Sequence, residues 1–199
     1  YIPNGHVGIV LRVSGAATIA GEDITNESIT TTVTEALRLS ADAVATSIYV
    51  GTPNEYSTIR ELARLCDDCE TFGLPVLAVT AIGKDRERKT DPRYLSLAVR
   101  VAVEMGADIV KTYYCDEKFE KVIEAAAGIP VVIAGGPKMD SVLDVLKIAE
   151  NATRAGARGV DMGRNVWQHE RPVEMLLALK DIVNDGMPAE EAYSKRFGR

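Results

Sequence analysis

The sequence predicts an α/β fold of the (β/α)₈ TIM-barrel type, on three observations. Short β-branched runs alternate with longer stretches of helical period. The runs are apolar on both faces, as in parallel strands covered by helices. Glycine-rich strand ends, AGGPK (134–138) and MGRN (162–165), follow the last two runs, where barrels hold phosphate through backbone N–H groups. An open dinucleotide-binding sheet would carry its glycine turn after the first strand. Here that turn reads SGAAT (14–18), with no G-x-G-x-x-G.

In order, the strand candidates are GIVLRVS (8–14), AVATSIYV (43–50), VLAVTA (76–81), DIVKTYY (108–114), VVIAGG (131–136) and GVDMGR (159–164). Helical period fills the intervals: ESITTTVTEALRLS (27–40), EYSTIRELARLCDDCETF (55–72), RYLSLAVRVAVEMG (93–106), EKFEKVIEAAAG (117–128) and DSVLDVLKIAENATRAG (140–156). PVEMLLALKDIVND (172–185) and a shorter PAEEAYSKRF (188–197) follow the last strand. Gly106 and Gly156 suit left-handed helix ends, and Pro92 and Pro172 suit first helical turns, where a missing N–H costs nothing. Successive strands lie roughly 22 to 35 residues apart, the size of a βα unit. No low-complexity linker interrupts the series, so residues 1–199 are expected to form a single domain.

Bulk properties narrow the function. A chain of 199 residues, 46% hydrophobic, supports one sizeable core. A net charge of −6 argues against electrostatic binding of nucleic acid and against a polybasic membrane surface. No apolar run approaches the roughly 18 residues of a transmembrane span, and the start, YIPNGHVGIV, lacks a basic region followed by a hydrophobic segment. Cys66, Cys69 and Cys115 are an odd number with no disulfide framework. The C-x-x-C of Cys66 and Cys69 sits inside a helical pattern and reads as two reduced thiols, so a cytoplasmic protein is expected. His6 and His169 have no partners at metal-ligand spacing, so neither a metal nor another resident cofactor is expected. The chain begins with Tyr1, not methionine, and is expected to be a piece of a longer protein.

Candidate chemistry gathers at strand ends, where barrels place it. Lys111 stands in the apolar run ADIVKTYY (107–114). An ammonium held partly away from water gives up its proton more readily, and the free amine can attack a carbonyl to form a Schiff base. The alternative is a lysine whose stem passes the strand end to reach solvent. Gly135, Gly136, Gly163 and Arg164 could cradle a phosphate, with the glycines admitting the anion close to the backbone and the guanidinium adding a charged bond. Glycines that simply turn the chain are the competing reading. Lys84, in the charged loop IGKDRERKTDPRY (82–94), is a second cation that could hold substrate or act on Lys111 by like-charge repulsion; otherwise the loop is merely solvated. Asp161, inside apolar GVDMG, is a buried-carboxylate candidate that could pair with a lysine, relay protons or satisfy a backbone N–H. Tyr49, Tyr113 and Tyr114 are proton-donor candidates, though packing is the expected role for at least two of them.

Taken together, ADIVKTYY, VVIAGGPK (131–138) and GVDMGRNVWQ (159–168) resemble the DeoC/FbaB/LacD superfamily of class I aldolases along essentially the whole chain. The resemblance implies a (β/α)₈ barrel with Lys111 as the Schiff-base lysine on the sixth barrel strand. It implies that Gly135, Gly136, Gly163 and Arg164 hold the substrate phosphate. GIVLRVS then becomes strand three, so the chain carries strands three to eight with their helices, and a complete protein has roughly 250–300 residues. Family members use an acidic residue of an Asp-His-Gly motif on the first strand in proton transfer, and no such motif occurs here. The archaeal-type fructose-bisphosphate aldolases of the family carry a proton-donating tyrosine on the fifth strand, where AVTAIGK (78–84) offers Thr80. VLRVSGA (10–16), AVTAIGKD (78–85) and RYLSLAVRVAVEMGA (93–107) are instead similar to the branch of thiolases that act on a phosphorylated diketone and pass an acetyl group to coenzyme A. Coenzyme A would then be a substrate, and no thioester role is expected of Cys115. Family members form large rings, so a homo-oligomer is expected. From a different class, a phosphate-binding barrel without catalysis competes with both enzyme readings.

Overall fold

The computed structural model describes residues 7–83 and 88–198. In chain order the strands are β1 (Val10–Arg12), β2 (Ser14–Gly15), β3 (Ser28–Ile29), β4 (Ala43–Val50), β5 (Val76–Ile82), β6 (Ile109–Thr112), β7 (Val131–Ala134) and β8 (Gly159–Asp161). The helices are α1 (Val33–Arg38), α2 (Glu55–Glu70), α3 (Pro92–Glu104), α4 (Phe119–Ala125), α5 (Val142–Arg154), α6 (Arg164–Trp167), α7 (Pro172–Asp185) and α8 (Ala189–Phe197). Six strands form one parallel sheet in the order β1-β4-β5-β6-β7-β8, an open half-barrel whose order follows the chain. That order is the mark of a singly wound barrel; a doubly wound sheet reverses at a switch point.

Strand alternation assigns the two faces. Val44, Ile48, Val76, Ala78, Val110 and Ile133 are buried on the outer face. There they pack with Leu62 and Leu65 of α2, Leu95 and Val99 of α3, and Phe119 and Val122 of α4. Each fully buried Leu or Phe contributes about 1.5–3 kcal/mol relative to an exposed one. A second cluster joins Leu146 and Ala149 of α5 to Met175, Leu179 and Ile182 of α7 and Ala192 of α8. The Glu150 carboxylate of α5 accepts the N–H of Ala189 at 2.9 Å and so caps α8.

Helix ends follow the expected chemistry. Asp91 accepts from the N–H of Arg93 with Pro92 in the first turn of α3, and Gly106 and Gly156 adopt φ of 95° and 111°. The largest departure is at residues 27–40, predicted as one helix. Its first third is extended: Ser28–Ile29 pairs antiparallel with Ser14–Gly15, and α1 starts at Val33 under a cap from Thr32. The run of β-branched residues from Ile29 to Thr32 favours extension, and α2 rewards it, since Glu61 accepts from both Ser28 Oγ and Ile29 N at 2.9 Å. The predicted strand 8–14 likewise divides, with Ser14 leaving the main sheet for that hairpin. No helix among the described residues is long and apolar enough to cross a membrane.

Candidate active site

The inner face carries the residues that are neither core nor surface. Register places Ser47 of β4, Val79 of β5 and Lys111 of β6 side by side on that face, and two residues further along, Tyr49 sits beside Ala81. Lys111 is flanked in sequence by Val110 and Thr112, both fully buried on the helix side. Its own side chain keeps 21% exposure and ends in an ion pair, with Nζ 2.8 Å from Asp161 Oδ2. Strand alternation thus explains a cation within an apolar run: the neighbours supply the core and Lys111 faces the opening.

A cleft of about 580 Å³ covers this face, and Lys111, Asp161, Gly135, Gly136, Gly163 and Arg164 all line it. Gly136 has φ of 62°, which an L side chain rarely adopts. A Cβ on Gly163 would lie 2.1 Å from the Trp167 ring, which also borders the cleft. The Arg164 guanidinium donates to the Gly136 carbonyl at 2.9 Å and so links the two turns. One of its five N–H donors is used in that bond. Behind them lies Asn165, buried and absent from the sequence prediction. It donates to the carbonyls of Gly135 (2.8 Å) and Pro137 (3.1 Å) and accepts from the N–H of Met139 (2.8 Å). An amide serving three backbone groups fixes the 135–139 turn against α6.

Several expectations change. Asp161 is not buried: it ends the edge strand β8, and its side chain is 51% exposed while paired with Lys111. Thr80 is 3% exposed, borders the cleft and donates to the Lys111 carbonyl at 3.2 Å. Ala81, beside Tyr49, lines the cleft as well. Lys84 and His6 lie outside the described residues, while Lys89, further along the same loop, lines the cleft. Tyr114 packs against Phe119 with ring centroids 5.1 Å apart, and Tyr49 and Tyr113 line the cleft. His169 accepts from the N–H of Arg171 and meets the Phe197 ring edge-on. Cys115 is buried in the helix-side core, away from the inner face. Burial pushes its thiol up to about 11, Cys66 to about 12 and Cys69 to about 11, with nearby carboxylates adding to each shift.

The opposite wall of the cleft holds a network the sequence did not reveal. Glu27 accepts from Arg12 Nη2 at 2.6 Å, from Ser14 Oγ at 2.9 Å and from the Tyr49 hydroxyl. Arg12 also donates to Ser47 Oγ at 2.6 Å. Burial, and next the bond to Glu27, raise the Tyr49 phenol above its ordinary value of 10.0.

Comparison with known proteins agrees with this geometry. Residues 3–169 match the DeoC/LacD family aldolase. The chain is 44% identical over 96% of its length to an uncharacterized aldolase of Pasteurella multocida, and 45% identical over 93% to a 3-hydroxy-5-phosphonooxypentane-2,4-dione thiolase of Yersinia enterocolitica. It spans 64% and 62% of those relatives. An archaeal fructose 1,6-bisphosphate aldolase superposes with a TM-score of 0.84 at 34% identity, covering 91% of this chain and 73% of that one. A second such structure, with its catalytic lysine bound to the carbinolamine intermediate of the substrate, gives 0.83 at 33% identity, covering 89% and 71%. The six-stranded half-barrel and the sequence match lead to one assignment: the chain belongs to the DeoC/LacD family of aldolases.

Proposed function

We propose that the protein is a Schiff-base enzyme that breaks or forms a carbon–carbon bond in a small phosphorylated ketone, with Lys111 as its amine. The observation that carries this reading is the single cleft shared by Lys111 and the Gly135, Gly136, Gly163 and Arg164 turns. Lys111 Nζ attacks the ketone carbon, and loss of water leaves an iminium. When the adjacent carbon–carbon bond breaks, its electron pair flows to the iminium nitrogen and an enamine results. The two turns hold the phosphate, with backbone N–H groups and the remaining donors of Arg164. Asp161 holds the Lys111 side chain toward the cleft until substrate arrives.

Within this class we favour the thiolase. The 45% identity to enzymes named 3-hydroxy-5-phosphonooxypentane-2,4-dione thiolase supports it, as does Thr80, which stands where the aldolase resemblance expected a proton-donating tyrosine. In that reaction the coenzyme A thiolate attacks the acetyl carbonyl. The bond to the neighbouring carbon breaks, and the electrons pass to the Lys111 iminium. Acetyl-coenzyme A departs, and protonation with hydrolysis releases the three-carbon keto phosphate, dihydroxyacetone phosphate. Fructose-bisphosphate cleavage is the second reading, favoured by the 34% identical archaeal structure.

Borohydride reduction in the presence of dihydroxyacetone phosphate should trap a covalent adduct on Lys111, located by peptide mass. Phosphorylated ketone that binds without any adduct would instead identify a non-catalytic binder. Assays of both substrates with and without coenzyme A separate the enzymes. Cleavage of fructose 1,6-bisphosphate without an acceptor, and none of the diketone with one, rejects the thiolase.

A further inference from the structure

The Schiff-base reading also requires a proton transfer at carbon. Forming an enamine from the dihydroxyacetone phosphate iminium, or quenching it, moves a proton at the carbon beside the iminium carbon. We infer that Tyr49 and Glu27 carry that proton, with the Tyr49 hydroxyl meeting the substrate and the Glu27 carboxylate as the terminal acceptor. This inference rests on the Schiff-base reading of Lys111.

Three observations place the pair. Both residues line the cleft that holds Lys111. Ser47 is level with Lys111 across β5, so Tyr49 stands two strands away and two residues nearer the mouth. That separation is roughly 10 Å across the sheet and roughly 7 Å along it, on the inner face of the curve. Both side chains line the same cleft of about 580 Å³, which has room for a three-carbon keto phosphate. Second, the Tyr49 hydroxyl already donates to Glu27, so a proton path exists before substrate binds. Third, the carboxylate is held from three sides with its side chain 13% exposed, and Arg12 supplies its counter-charge. A raised phenol stays protonated at neutral pH, as a donor must. Asp161 is engaged with the amine itself.

The step balances. The C–H bond breaks toward the Tyr49 oxygen as the Tyr49 proton passes to Glu27, while the C–H electron pair becomes the enamine double bond and neutralises the iminium nitrogen. The reverse sequence protonates the enamine formed by carbon–carbon cleavage.

The test follows hydrogen exchange into dihydroxyacetone phosphate in D₂O by NMR, alongside borohydride trapping. The parent protein should form the Lys111 adduct and exchange one hydrogen. Tyr49→Phe keeps the ring and should form the adduct normally while exchanging at least 100-fold more slowly. Glu27→Gln should do the same, the adduct serving in both as the measure of a folded site. Exchange in Tyr49→Phe within threefold of the parent, at equal adduct, overturns the inference, as does a parent that forms the adduct without exchanging. A parent that forms no adduct overturns the Schiff-base reading instead.

Discussion

Lys111 and Arg12 are both cations inside apolar strands, and both prove to face the inner side of the sheet. For Lys111 the run ADIVKTYY drew notice because two apolar residues precede the lysine and two tyrosines follow closely. Arg12 in GIVLRVS is the same signal in weaker form, and its partner Glu27 was hidden because ESITTTV reads as the start of a helix. The carboxylate joins the site only because residues 28–29 are extended and fold back on Ser14–Gly15, a pairing that no local pattern encodes. Replacing Lys111 with Met should abolish turnover and borohydride trapping with unchanged circular dichroism; retained turnover removes Lys111 from the chemistry. Arg164→Ala should weaken the Kd for dihydroxyacetone phosphate by about 1.5–3 kcal/mol, the value of a charged hydrogen bond. Titration calorimetry against dihydroxyacetone decides the point, because equal loss for the non-phosphorylated ketone would mean that Arg164 does not hold the phosphate.

Among the elements, the long helices and the central strands were legible, since α2, α3, α5 and α7 each place apolar residues at helical spacing and β4 to β7 are buried runs. The short pieces were not. The four-residue α6 carries too few residues for a period to register, yet its Asn165 fastens the 135–139 turn through three bonds. Asn165→Leu should strand two carbonyls and an N–H, costing about 2–4 kcal/mol at the usual penalty for buried unpaired groups. Urea midpoints should fall accordingly, whereas Arg164→Ala, on the exposed side of the same helix, should leave them nearly unchanged. Helix α2 decides the fate of its thiols. Cys66 and Cys69 face packed neighbours and the carboxylate of Asp108, and at pH 8 about one in a thousand or fewer of such groups is thiolate. Iodoacetamide at that pH should leave the folded protein's mass unchanged over the time in which urea-unfolded chains gain three adducts.

For the whole molecule, the carboxy-terminal helices are tied by charge as well as by packing. Asp181 of α7 is nearly buried and accepts from Arg196 at 2.7 and 2.8 Å and from Lys195 at 3.2 Å. The Arg196 guanidinium chiefly holds its carboxyl down to about 2. A depressed carboxyl stabilises the fold above the unfolded value near 4, and that contribution disappears as pH falls through about 2. Asp181→Asn should therefore lose about 1–2 kcal/mol at pH 7, allowing for solvent screening, with the gap to the parent closing between pH 4 and pH 2. A gap of constant size across that range in urea titrations would trace the loss to packing. The tryptophan at the mouth of the cleft has a practical consequence. Trp167 is the chain's single indole, 68% exposed, with its ring against Gly163. Its fluorescence therefore reports from the candidate phosphate cradle without interference from any other indole of this chain. Emission should change as dihydroxyacetone phosphate is titrated in, giving a label-free reading of occupancy even in variants that no longer turn over.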